Sequence, residues 1–130
     1  MVIDTSALVA LLGMEPEAAR IAAALESDPN RLLSAATLIE VGIVIESRYG
    51  IAGARELDLL VAKAGLVIES VTAEQADVAR EAWRRFGKGR HSASLNYGDC
   101  FSYALAKVKG EPLLFKGEDF PQTDIAVASY

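Results

Sequence analysis

Apolar residues along this chain follow two rhythms. Short runs rich in branched apolar side chains recur at 1–3 (MVI), 31–35 (RLLSA), 66–71 (LVIESV) and 112–115 (PLLF), with a last one at 125–130 (IAVASY). Each is too short to show alternation and reads as a brief strand. Between them the apolar spacing becomes helical. A helix follows the first strand, with Asp4, Thr5 or Ser6 placed to cap it. The 15–27 stretch carries Pro16 near its first turn and Ile21 and Leu25 four residues apart. Residues 37–50 read as a helix ending before Gly50, and 52–65 as another with Leu57, Leu60, Val61 and Ala64 on one face. Thr72 opens a helix whose expected apolar stripe is Ala76, Ala79, Trp83 and Phe86. After a loop over 87–96, Asn96 caps a helix that stops at Gly110. Short apolar strands alternating with helices predict an α/β fold in which helices cover a mainly parallel sheet. Ligands in such folds bind at the carboxyl ends of the strands.

Composition narrows the chemistry. The 130 residues suit one domain spanning 1–130, and a hydrophobic fraction of 52% excludes a disordered chain. Asp4 interrupts the only candidate leader, and no run reaches the ~18 apolar residues of a membrane span, so a soluble, cytoplasmic protein without membrane contact is expected. The single cysteine, Cys100, admits no internal disulfide and reads as a small buried thiol. The single histidine, His91, leaves no zinc site of the usual Cys/His type within one chain, and no G-x-S-x-G elbow accompanies it. Any chemistry therefore falls to carboxylates.

Acids stand in awkward places. Asp4 follows the first strand, Glu40 lies among branched apolar residues, Asp99 sits in the first turn of a helix, and Asp119 and Asp124 follow the PLLF strand. Each has a structural explanation by itself. Asp4 caps a helix, Thr37 and Glu40 fit a capping box, Asp99 complements a helix dipole, and the last two are loop acids. As a set they differ, because each follows a strand or opens the helix beyond one, and a parallel sheet turns all those points to one edge. Converging carboxylates repel by up to about 4 kcal/mol per close pair at an effective dielectric of 20. A divalent cation removes that cost, and hard oxygen donors suit Mg²⁺ or Mn²⁺.

The segments VIDTSALVALL, SAATLIEVGIVIESRYG and LNYGDCFSYALAKVKGEPLLFKGEDFPQTDI resemble, in order and over essentially the whole chain, PIN-domain ribonucleases of the VapC toxin type. The resemblance places the family's acids on Asp4, Glu40, Asp99 and Asp119, a supporting hydroxyl on Ser6 and a further acid on Asp124. It implies a three-layer α/β/α sandwich and Mg²⁺- or Mn²⁺-dependent endoribonuclease activity. It also implies a homodimer silenced by a cognate antitoxin protein.

A net charge of −5 argues against a protein that coats nucleic acid generally. One basic segment, Arg84, Arg85, Lys88 and Arg90 beside His91, leads toward Asp99 and is the expected RNA contact. Rival readings are a PIN-type nuclease acting on DNA or structured RNA without a toxin role, an aspartyl-phosphate phosphotransferase with Asp4 as nucleophile, and a non-enzymatic binding module. The haloacid-dehalogenase form of the second wants an Asp where Ser6 stands.

Overall fold

β1 (Val2–Ile3) is the strand on which the sheet is built. It pairs in parallel with β2 (Leu32–Ser34) on one side and β4 (Leu113–Leu114) on the other, and β2 pairs in parallel with β3 (Val67–Glu69). The order is therefore β3-β2-β1-β4. The computed structural model describes all 130 residues, and it sets five helices around this sheet: α1 (Thr5–Leu12), α2 (Ala18–Ser27), α3 (Ala35–Lys63), α4 (Ala73–Phe86) and α5 (Tyr97–Lys109). None is long and apolar enough to cross a membrane.

Strand alternation builds two cores. Ile3, Leu33 and Leu114 point to the side of α1, α2 and α3, while Val2, Leu32 and Leu113 point to α4 and α5. Both sets are almost wholly buried, so β1, β2 and β4 are apolar on both faces, as a helix-covered parallel sheet requires. The expected three layers are present. Cys100 is buried, as read from the sequence.

Four local expectations are corrected. β3 is a sheet edge, and its Val67 and Ile68 are 52% and 40% exposed; the α3–β3 corner covers it on too few sides. The buried stripe of α4 is Gln75, Ala82 and Phe86, with Val78 and Ala79 partly covered, so Ala76 and Trp83 face outward. The stripe actually used keeps Ala79 and Phe86 but is turned by about 60° from the one expected, less than one residue step. Thr37 does not cap a helix: Ser34 does, accepting from the Ala36 N–H at 3.3 Å, and Thr37 lies buried in the first turns of α3. The C-terminal strand is reduced to one parallel bridge, Val127 beside Leu113.

The break expected at Gly50 is present: α3 consists of two helical segments that meet there at a kink. Gly50 has φ 68° and ψ −159°, a region open essentially to glycine alone. Gly110, which ends α5, has φ 65° and ψ 32°, the left-handed conformation that Asn also tolerates. Gly50→Asn is therefore expected to destabilise the fold by about 1–3 kcal/mol in urea unfolding, and Gly110→Asn by less than about 1 kcal/mol. Equal costs at the two positions would remove the distinction.

Candidate active site

The strand order reverses at β1, since the chain runs outward to β2 and β3 and then returns to place β4 on the other side. Connections leave β1 and β4 in opposite directions, and a crevice opens at their carboxyl ends. Asp4 stands there. Its N–H donates to the Leu114 carbonyl at 2.9 Å, which continues the β1–β4 ladder one residue further. Its side chain is only 3% exposed, and both oxygens are held. Oδ2 accepts from the Ser6 N–H at 2.9 Å and the Ser6 hydroxyl at 2.7 Å, and Oδ1 accepts from the Ser102 hydroxyl at 2.7 Å. Ser6 Oγ accepts in turn from the Lys116 N–H at 2.9 Å. Asp4 thus caps α1 and presents a carboxylate at the sheet edge at the same time.

Glu40 arrives from the second turn of α3, and the Thr5 hydroxyl donates to its Oε1. Its carboxylate lies against the backbone of Gly98. A Cβ added there would run into the Glu40 carboxylate, so glycine at 98 lets the acid lie where it does and a larger residue would have to displace it. Asp99 follows in the first turn of α5, in a capping box with Asn96. The Asn96 N–H donates to Asp99 Oδ2, and the Asp99 N–H donates to Asn96 Oδ1, both at 2.9 Å. Burial is the main force raising the Asp99 pKa. The Asn96 N–H opposes it, and the charges of Asp4, Asp119 and Glu40 add to it, to reach about 7. Acids from three other segments therefore bear on Asp99.

The cleft measures about 540 Å³ and is lined by Asp4, Ser6, Glu40 and Asp99 together with Arg48 and Lys116. Asp119 is exposed on the loop after β4, beside this cleft rather than in its lining, within electrostatic reach of Asp99. No group of three or more carboxylates stands ready to hold a metal ion as they are placed. The donor chemistry nonetheless fits a hard divalent cation: every candidate donor is oxygen, and Asp4, Glu40 and Asp119 add negative charge around the partly buried Asp99.

The PIN-domain family model matches residues 1–126. The chain belongs to the PIN-domain family, and within it to the VapC ribonucleases. Ribonuclease VapC30 of Mycobacterium tuberculosis is 60% identical over 129 residues, covering 99% of this chain and 98% of its own length. Among solved structures, M. tuberculosis VapC20, described as a sarcin-ricin loop cleaving toxin, superposes with a TM-score of 0.78 at 21% identity, covering 96% of this chain and 95% of its own. A toxin–antitoxin complex from Klebsiella pneumoniae gives 0.74 at 19% identity, covering 99% and 97%.

Within this PIN domain the other expected site residues divide. Ser6 supports Asp4 as anticipated. Asp124 does not join the acids. It accepts from the Tyr103 hydroxyl at 2.6 Å and pairs with Lys107 at 3.0 Å and Arg85 at 3.3 Å. Burial pushes its pKa up, but those three partners outweigh it and hold it at about 2. Arg85 is thereby drawn away from the rest of the basic segment and also lies over the Phe86 ring at 4.6 Å. Arg84, Lys88 and Arg90 stay exposed. His91 accepts from the Ala93 N–H at 3.0 Å and shapes the loop.

Several site residues escaped the sequence reading. Ser102 carried a signal, since it lies one helical turn after Asp99 and so shares its face. Thr5, Gly98 and Lys116 carried none. Lys116 pairs with Glu15 and, at 3.1 Å, with Glu17, which spans the loop after β4 to the α1–α2 connection.

Two outcomes are expected of this geometry. A carboxyl group whose folded pKa is raised stabilises the fold below its unfolded pKa, near 4, and that contribution is lost as pH climbs toward about 7. In chelator, the native protein should lose about 1–3 kcal/mol across that window, discounted for the partial exposure of Asp99. Asp99→Asn keeps an acceptor for the Asn96 N–H and should flatten the loss; an unaltered pH profile of thermal unfolding would contradict the coupling. Separately, Gly98→Ala should destabilise the fold by about 1–3 kcal/mol, and shortening the acid with Glu40→Asp in the same chain should restore most of it, as calorimetry of the single and double variants would show.

Proposed function

We propose that this PIN domain, residues 1–130 acting as one nuclease unit, is a metal-dependent endoribonuclease and the toxin of a toxin–antitoxin pair. The observation that carries the reading is the meeting of Asp4, Glu40 and Asp99, from three separate segments, in one cleft at the β1–β4 crevice. Asp4, Glu40 and Asp99, with Asp119 beside them, are the residues that would hold Mg²⁺ or Mn²⁺. The bound cation supplies activation of a water and neutralisation of charge on the phosphodiester oxygens. The chain's own residues do the rest. Ser6 and Ser102 fix both oxygens of Asp4, so its orientation does not have to be found at the moment of reaction. Thr5 steadies Glu40, and Gly98 leaves it space. The Asn96 N–H holds one oxygen of Asp99 and leaves the other free. Arg84, Lys88 and Arg90 draw the phosphate backbone toward the cleft.

The full-length match to VapC ribonucleases disfavours a phosphotransferase, as does Ser6 standing where that chemistry wants a second aspartate. The ribonuclease names of its VapC relatives support RNA as substrate, and the Klebsiella complex supports an antitoxin partner. Self-association fits the outer face of α3. Ile39 and Ile43 are 65% and 63% exposed, and with Ala36, Val44 and Phe101 they line an apolar hollow beside Glu40. A second copy covering it would make the homodimer. A protein of this kind acts in the cytoplasm, where its RNA is.

The test is cleavage of matched RNA and DNA single strands with Mg²⁺ and with chelator. RNA alone should be cut, and only with the metal. Asp4→Asn, Glu40→Gln and Asp99→Asn should each lower kcat/KM by at least about 10²-fold, the equivalent of losing several kcal/mol of transition-state stabilisation. Full activity in any of the three would overturn the assignment.

A further inference from the structure

Beside the acid cleft lies a second hollow, of about 570 Å³, that the cleavage reading leaves unused. Arg80, Trp83 and Arg84 of α4 form one wall, Tyr97 and Phe101 of α5 the other, and Arg90 reaches in from the loop between. Trp83 is the residue the sequence pattern assigned to the core, yet it is 43% exposed. Its indole is nonetheless held firmly. A Cβ at Gly87 would come within 2.6 Å of Trp83 Cδ1 and 2.8 Å of Nε1, so the ring lies directly on the glycine backbone. Arg90 sets its guanidinium 4.3 Å from the ring centroid. An exposed aromatic ring fixed in place and flanked by a planar cation is a surface prepared for stacking.

We propose that this groove takes an unpaired nucleobase of the RNA strand, stacked against Trp83 and Arg90, with neighbouring phosphates on Arg80 and Arg84; the proposal rests on the ribonuclease reading above. Charge complementarity commits it to that occupant. Three guanidinium groups meet here in a chain of net charge −5. Arg84 and Arg80 hold only exposed one-turn pairs, with Glu81 at 2.8 Å and Asp77 at 3.5 Å, which a phosphate readily displaces. The volume lies in the range of small-ligand pockets and admits a single base, not the edge of a duplex. Continuity with the cleft is built into α5. Tyr97, 81% exposed, stands two residues before Asp99 on the same first turn, and its ring meets Phe101 edge to face at 4.9 Å. These two rings line both this groove and the apolar hollow by Ile39 and Ile43, and so form the ridge between them. A strand leaving Asp99 passes Tyr97 on the same helical turn and enters the groove from there. A second copy of the chain fits the groove less well, because an isologous contact centred here sets the arginines against their own counterparts.

Trp83 is the only tryptophan, so fluorescence excited selectively in tryptophan and not in the four tyrosines reports on this groove. The full chain carrying Asp99→Asn, which binds without cutting, is titrated with short single-stranded oligoadenylate and oligouridylate and with an abasic oligomer of equal phosphate count. The base-bearing strands should quench Trp83 saturably. The abasic strand should leave the fluorescence unchanged and bind about tenfold more weakly, the scale of one lost stacking contact. By anisotropy of a labelled strand, Trp83→Ala should lose about tenfold in affinity and Trp83→Phe should recover most of it. Absence of quenching, together with unchanged affinity in Trp83→Ala, would overturn the proposal. So would a shift of the sedimentation coefficient in Trp83→Ala with RNA affinity intact, which would make the groove a contact between copies. Cleavage of RNA by the native chain with Mg²⁺ separates the two readings: cleavage without quenching removes the groove alone, and failure to cut any RNA removes the ribonuclease reading and with it this proposal.

Discussion

A carboxylate buried at the end of the central strand is the constraint on which the rest of this structure depends. Asp4 is almost fully removed from water, so each of its oxygens needs a protein donor. The donors come from opposite layers of the sandwich: Ser6 from α1 and Ser102 from α5. Satisfying one side chain therefore ties the two helix layers together at the sheet edge. Ser102 also lies 3.3 Å from Thr37 Oγ1, which brings α3 into the same network. Ser6 accepts from the Lys116 backbone and anchors the loop that follows β4. All the segments that carry site acids are thus referred to one point.

Around that point the fold accepts unfavourable electrostatics. Asp99 is partly desolvated beside three other acids, and its pKa rises to about 7, with burial the larger cause. Helix caps hold the acids against this repulsion. Asp4 caps α1, and Asp99 completes the capping box of α5, so removing either acid also removes a cap. Such a compromise between stability and a charged site is characteristic of functional centres, where local rules are broken and compensated nearby.

The cations are sorted with comparable economy. On one side of α4, Arg85 joins Lys107 and the Tyr103 hydroxyl around Asp124 and is neutralised there. On the other, Arg84 and Arg90 keep their charge toward solvent beside exposed aromatic rings. Neighbours in sequence, Arg84 and Arg85 end on different faces because successive helical residues diverge by about 100°. In a chain that is acidic as a whole, Arg80, Arg84 and Arg90 are thereby gathered along one groove near the acid cleft.

The sequence by itself determined the alternation of short strands and helices and the parallel sheet, because those follow from local apolar spacing. Asp4, Glu40 and Asp99 were legible as acids where a core was expected, and the family resemblance ordered them. What only the tertiary structure decided were contacts between segments far apart in the chain. Ser102 reaches Asp4 across 98 residues and Thr5 reaches Glu40 across 35. Gly98 makes room for a side chain from another helix, a demand no local pattern carries. Asp124 was misplaced because its position after a strand is the same whether it turns toward the cleft or toward Tyr103, and only packing chooses. Trp83 was misplaced because hydrophobicity alone cannot tell a ring buried in the core from a ring held flat on the surface by a glycine.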